Sequence, residues 1–211
     1  TGKIKTIFTS PLKNWTVDWP ATAIIALSPL GAATLPGALY FLNPDTGALT
    51  RVLGGELGLT TLVNPAGTKI LYNQNLSELK IYSVRDRAAK SSTITTLPEK
   101  CVWASDTITI YCAVPNLPPR LIGSPRFGEA GGQAAQYPDD WWSGEVTFND
   151  NLWRVNTDTG EAKIIWSGET GVSGSVGNQF DAVNLILDET NQRLIFTDRW
   201  SAILWSLDLR Q

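Results

Sequence analysis

The chain has 211 residues, 43% of them hydrophobic and 18% charged, with a formal charge of -3. That length suits one large domain able to bury roughly 70% of the surface its unfolded form exposes, and the balance excludes a disordered chain. Basic residues are scattered (Lys3, Lys5, Arg51, Arg85, Arg87, Arg120, Arg154), so no positive stripe exists for a phosphate backbone and no nucleic-acid partner is expected.

No apolar run approaches the ~20 residues of a membrane-spanning helix. There is no histidine, which removes Ser-His-Asp and Cys-His triads, imidazole zinc sites and the usual general base near pH 7. There is also no methionine, which reads as a processed or excised product whose signal peptide or anchor is out of view.

In chain order, Lys3 to Phe8 in "TGKIKTIFTS" reads as a strand following half a turn. "NWTVDW" and "AIIAL" read as a strand pair, followed by Leu39-Tyr40-Phe41-Leu42 and, after Asp45-Thr46-Gly47, an outer strand. "LTTLVN" and "TKILYNQ" are joined by Pro65-Ala66-Gly67, then come Ile81-Tyr82-Ser83-Val84 and "STITTL". "CVWAS" and "TITIYC" flank Ser105-Asp106-Thr107. This hairpin sets Cys101 opposite Cys112, either as a cross-strand disulfide or as two buried thiols. Leu152-Trp153-Arg154-Val155 precedes Asp158-Thr159-Gly160 and another strand. "AVNLIL", "QRLIFTD" and Leu204-Trp205-Ser206-Leu207 end the chain.

The motif of an aliphatic residue, Tyr or Trp, any residue and an aliphatic residue thus occurs four times, each time in a unit of four short strands. No segment shows sustained helical periodicity. Repetition at this length predicts an all-β fold, a β-propeller of four four-stranded blades in a single domain spanning 1–211. The expected units are about 14–55, 56–99, 100–167, and 180–211 plus 1–10. "SLDLRQ" followed by "TGKIKTIF" reproduces the "RVNTDTGEAKIIW" hairpin, so the N-terminal strand is expected to complete the last blade. The alternative is four blades of a larger propeller.

"NPAGTKILY" (64–72) and "LDETNQRLIF" (187–196) resemble the "P-D-G-x-x-I-x-Y" hairpin of bacterial WD-repeat-like and TolB-like propellers. The sequence departs from that pattern at Ala66, where Asp is usual, and in ending no blade with Trp-Asp. The overall pattern is also similar to the propeller region of uncharacterised exported bacterial proteins. The resemblance implies a propeller and supplies no activity.

The third unit carries a long insert, about 115–150, expected to lie like a lid on the face where successive blades are joined. Within it "YPDDWWSGE" sets Tyr137, Trp141 and Trp142 beside Asp139, Asp140 and Glu145. Aromatic planes beside carboxylates suit a sugar, but adjacent tryptophans do not easily face one ligand, which favours a lid plugged onto the propeller by them. Asp18 and Asp181 are the channel carboxylates that would join such a site. Adjacent Asp139 and Asp140 lack the separation of a glycosidase pair and the spacing of a calcium loop. No catalytic residue, metal or cofactor is assigned. "GETGVSGSVGNQ" (168–179) reads as a flexible connection or a binding rim.

The expected function is a non-enzymatic binding module presenting its loop face to a protein or cell-surface polymer. The alternative is a carbohydrate-binding or carbohydrate-cleaving propeller using Trp141, Trp142 and the channel acids. Self-association is expected if the ring is incomplete. A disulfide would place the chain outside the cytoplasm, secreted, periplasmic or on a bacterial surface.

Overall fold

A computed structural model describes residues 2–116, 135–168 and 179–210, together with the backbone of 120–121. Its strands form successive antiparallel sheets in chain order. The first holds β1 (Trp15–Ala21), β2 (Ile24–Pro29), β3 (Pro36–Leu42) and β4 (Leu49–Leu57). The second holds β5 (Leu59–Val63), β6 (Lys69–Gln74), β7 (Lys80–Ser83) and β8 (Ala88–Ser91). In the third, β9 (Cys101–Trp103) and β10 (Thr109–Pro115) are separated by the insert from the rest of the blade. The insert carries the short pair β11 (Arg120–Leu121) and β12 (Val146–Thr147) and one helical turn, α1 (Asp139–Ser143). The blade then continues with β13 (Asp150–Asn156) and β14 (Ala162–Trp166), and the fourth sheet holds β15 (Ala182–Leu187), β16 (Arg193–Asp198) and β17 (Leu204–Asp208).

The hairpins close where short polar side chains replace backbone partners. Asn43 Oδ1 accepts from the N–H groups of Asp45 and Thr46, both at 2.9 Å, and Gly47 takes φ 73°. Asn156 repeats this with Asp158, Thr159 and Gly160. Asn64, Asp106 and Asp188 cap the β5–β6, β9–β10 and β15–β16 turns in the same way. All these turns lie at one end of the sheets. The blade-to-blade connections and the links from second to third strands lie at the other, the loop face.

Apolar layers form between consecutive blades, because central strands covered on both faces carry continuous apolar residues. Ala26 and Leu39 of the first blade meet Val63 and Ile70 of the second. Leu71, Leu79 and Ile81 meet Trp103, Ile110 and Val155 of the third. Tyr111, Ala113 and Leu152 meet Phe180, Leu185, Leu194 and Phe196 of the fourth, with Phe180 stacked on Trp166 at 4.5 Å. This is the four-blade propeller arrangement expected from the sequence. Cys101 and Cys112 are directly opposite in the β9–β10 register and form the disulfide, with Cα atoms 4.1 Å apart.

The N-terminal segment departs from expectation. Residues 2–13 form no strand, and β17 is the last strand of a three-stranded fourth sheet among the described residues. Ile7 and Phe8 instead pack with Trp15, Ile25, Leu27, Tyr40 and Leu42 on the free face of the first blade, Phe8 edge-on to Trp15 at 5.7 Å. Lys5 Nζ donates to Asp45 O. Burying Ile7 and Phe8 against this apolar face is what stabilises the segment there. The outer strand of the second blade also differs. It is Ala88–Ser91, entered through Arg87 at φ 53°, whereas "STITTL" forms the connection to the third blade and buries Ile94, Thr96 and Leu97.

The free face of the fourth blade leaves Ile186, Ile203 and Leu204 at 55%, 50% and 70% exposure, and Val17 and Trp19 on β1 are both 62% exposed. Among the described residues no apolar cluster joins the fourth sheet to the first.

Candidate functional site

The described part of the insert is a lid seated on the centre of the loop face. Tyr137, Trp141, Val146 and Phe148 form one buried cluster with Leu97, and Leu76, Trp142 and Val183 pack against it. Three blades besides the one that carries it contact the lid. Asp139 Oδ2 accepts from Ala33 N–H in the first. In the second, Gly58 passes so close that an added Cβ would lie 2.7 Å from Tyr137 O, and its φ of 62° likewise calls for glycine. In the fourth, Arg199 donates to Trp142 O at 2.9 Å and Trp200 Nε1 donates to Thr147 Oγ1.

Beneath the lid lies a buried charge centre. Lys100, at the end of the 3-10 turn Pro98–Lys100 that leads into β9, has no exposed surface. Its ammonium meets Asp181 Oδ1 at 2.5 Å, Asp150 Oδ2 at 2.8 Å and Ala182 O at 2.9 Å, and both aspartates are fully buried. The rings of Phe148 and Trp141 stand 4.9 and 5.2 Å from the ammonium, and the Arg199 guanidinium lies 4.8 Å from Trp141. Asp181 also accepts from Trp141 Nε1 at 3.0 Å and from Phe148 N–H at 3.2 Å, so it joins the lid to the blades.

Asp150 is less well served. Its Oδ1 is buried without a hydrogen-bond partner. Burial pushes its carboxyl up to about 6, with Asp181 adding to the rise and Lys100 and the Ala182 N–H opposing it. Glu99, next to Lys100, is pushed up to about 7 by burial, against the pull of its own backbone N–H, the Thr60 hydroxyl and Lys100. Neither Glu99 Oε2 nor Thr60 Oγ1 closes a hydrogen bond.

Glu99 lines a small pit of about 30 Å³ together with Thr16, Ser28, Thr60, Thr61 and Trp142 of the lid. The pit shares Pro29 and Gly31 with a wider groove of about 580 Å³, lined by Leu12–Asn14, Leu30–Ala32, Leu35–Gly37 and Asp139 of the lid. Leu12, Leu30 and Leu35 stand in it 54%, 50% and 63% exposed.

The residues singled out in the sequence are therefore divided. Tyr137, Asp139, Asp140, Trp141, Trp142 and Asp181 come together around the lid. Asp140 Oδ2 accepts from Gln136 N–H and closes the turn into α1. Burial pushes the Tyr137 phenol up, and Asp140 adds to this. Asp18 does not join them. It is exposed in the middle of β1, where its Oδ1 accepts from Trp19 N–H at 2.8 Å. The insert over 117–134 and the Gly/Ser-rich 169–178 lie outside the described residues apart from the β11 backbone. Sequence reasoning missed Glu99, Lys100, Asp150 and Arg199. The available signal was a charge abutting the first residue of an apolar strand in "EKCVW", "NDNLWRV" and "FDAVNLIL".

No family model matches the sequence, and a search of curated proteins finds no match. Solved structures do match. TolB from Acinetobacter baumannii is 14% identical over 97% of this chain and 45% of its own, with TM-score 0.52. A chain of a nidogen/laminin complex is 10% identical over 98% and 65%, with TM-score 0.59. The computationally designed Ika4 protein is 7% identical over 98% and 99%, with TM-score 0.53. The chain thus spans less than two thirds of the first two, and the likeness is one of fold.

Proposed function

We propose that the protein is a non-enzymatic binding module whose loop face docks a segment of a partner protein in the groove between Leu12–Asn14 and Leu30–Gly37. The observation that carries this reading is the groove itself, where three half-exposed leucines line about 580 Å³ of open space beside the lid. Monomeric surfaces seldom gather large apolar side chains in a concavity without a use for it. One structure of similar fold is a complex between two proteins, which supports the same direction. The disulfide supports an extracytoplasmic location, since such bonds persist in oxidising compartments. No helix among the described residues is long and apolar enough to cross a membrane.

The carbohydrate reading has weaker support. Trp141 is only 3% exposed and bonded to Asp181, which leaves Trp142 as the remaining stacking surface of the pair. Self-association would use the free face of the fourth blade, where Ile186 and Leu204 are uncovered.

Panning a random peptide library against the protein tests the proposal. Selected peptides are expected to lose at least tenfold in affinity on a Leu30→Asp, Leu35→Asp double substitution, the scale of losing two apolar contacts. Undiminished binding to that variant contradicts the groove. Glycan-array binding abolished by Trp142→Ala would favour the carbohydrate reading instead.

A further inference from the structure

The pit and the groove meet at Pro29 and Gly31, so a chain lying in the groove passes the pit opening. The pit is polar. Its lining includes Thr16, Ser28, Thr60, Thr61 and Glu99, and Thr60 is only 3% exposed while its hydroxyl closes no hydrogen bond. Glu99 Oε2 and Thr60 Oγ1 border one small space and neither closes a hydrogen bond, the Thr60 hydroxyl acting on Glu99 without reaching bonding geometry. Buried oxygens left so are costly, and a bound donor group relieves the cost.

Charge specifies the donor. Around Lys100 stand three carboxyls, Glu99, Asp150 and Asp181, and the Lys100 ammonium is committed to the two aspartates and Ala182 O. Arg199, the other cation at the lid, is spent on Trp142 O and the Trp141 ring. Lys13 and Asp139 face the groove rather than the pit. Glu99 is thus the acidic group of the centre without a cation of its own, and Trp142, an aromatic residue able to attract positive charge, lines the same pit. Geometry limits the choice. The pit is narrow and presents one unpartnered carboxylate oxygen, which suits the point charge of an –NH3+ on an unbranched stem better than the bidentate fork of a guanidinium.

We propose that the pit is a binding site for a primary ammonium group, a lysine side chain of the segment docked in the groove, held by Glu99, Thr60 and the Trp142 ring. This rests on the groove reading and names the chemistry of its partner. Glu99 must be ionised to hold the cation, so binding below neutral pH expels its proton.

Isothermal titration of the whole protein with Nα-acetyl-lysine amide tests this, run at pH 6 and pH 8 in two buffers of different ionisation enthalpy. The expected result is saturable binding about tenfold tighter at pH 8 than at pH 6, with close to one proton released per site at pH 6 and almost none at pH 8. Nα-acetyl-arginine amide and Nα-acetyl-norleucine amide are expected to bind at least tenfold more weakly. Glu99→Gln, checked for an unchanged circular dichroism spectrum, is expected to lose both the binding and the proton release, and Thr60→Val to weaken binding. No saturable signal at pH 8, equal binding of the arginine probe, or binding retained in Glu99→Gln overturns the proposal. If panned peptides depend on Leu30 and Leu35 but not on Glu99, the pit assignment fails and the groove stands. Lysine-probe binding in a protein that selects no peptide leaves the pit and removes the groove.

Discussion

Glu99 and Asp150 are acids that the fold holds more protonated than the unfolded chain would. Their folded pKa values, about 7 and about 6, lie above the ordinary carboxylate range because burial disfavours the charge. Between about pH 4 and pH 7 the folded protein therefore binds more protons than the unfolded one, and stability falls as pH rises through that window. Urea unfolding at pH 4.5 and pH 8 should show this decline. Glu99→Gln should reduce the decline, leaving the part due to Asp150, so that the variant matches the parent at pH 4.5 and exceeds it at pH 8 by ~2 to 4 kcal/mol. A variant no more stable than the parent at pH 8 would mean that Glu99 is not strained in the fold. These residues were nearly invisible in the sequence. A Lys beside a Glu reads as surface, and only the convergence of Pro98–Lys100, the start of β13 and the start of β15 buries the charges together.

At the scale of elements, the hairpins were the most legible, because Asn-Pro-Asp-Thr-Gly and Asn-Thr-Asp-Thr-Gly state their turn geometry locally. The β9–β10 hairpin was legible down to its register, and Cys101 and Cys112 face each other as that register requires. The disulfide closes a loop of 11 residues' separation. Its removal should cost at most about 3 kcal/mol by the loop-entropy argument, and calorimetry of the Cys101→Ser, Cys112→Ser protein should show a lowered Tm with the fold retained. An unchanged Tm would show that β-pairing and the apolar layer around Trp103 and Ile110 hold the hairpin without it. The lid was legible only as a long insert. Its helix α1 spans five residues, too few for periodicity to register, and its fastenings to Ala33, Gly58 and Arg199 come from segments far apart in the chain.

The whole molecule shows where local signals stop. Head-to-tail reading of the termini predicted a strand at Lys3 to Phe8, and a strand pattern there is real. Its competitor was the uncovered face of the first blade, whose Trp15, Leu27 and Tyr40 offer Ile7 and Phe8 a surface to bury against. That tertiary alternative cannot be read from a β-propensity, which records fit to a half-buried surface wherever it lies. The repeat itself, four consecutive blades and their order, was fully legible. With the sheets so arranged, the turn face is closed by Asn and Asp caps. The loop face gathers the lid, the groove and the pit, and it is the face the protein is proposed to use.

Hydrogen exchange of the protein with and without a panned peptide tests that claim most directly. Slowed exchange is predicted on the loop face, at the Leu30–Gly37 amides that can exchange and in Asp139–Ser143. Slowing confined to the opposite turns around Asn43, Asp106, Asn156 and Asp188 would contradict it.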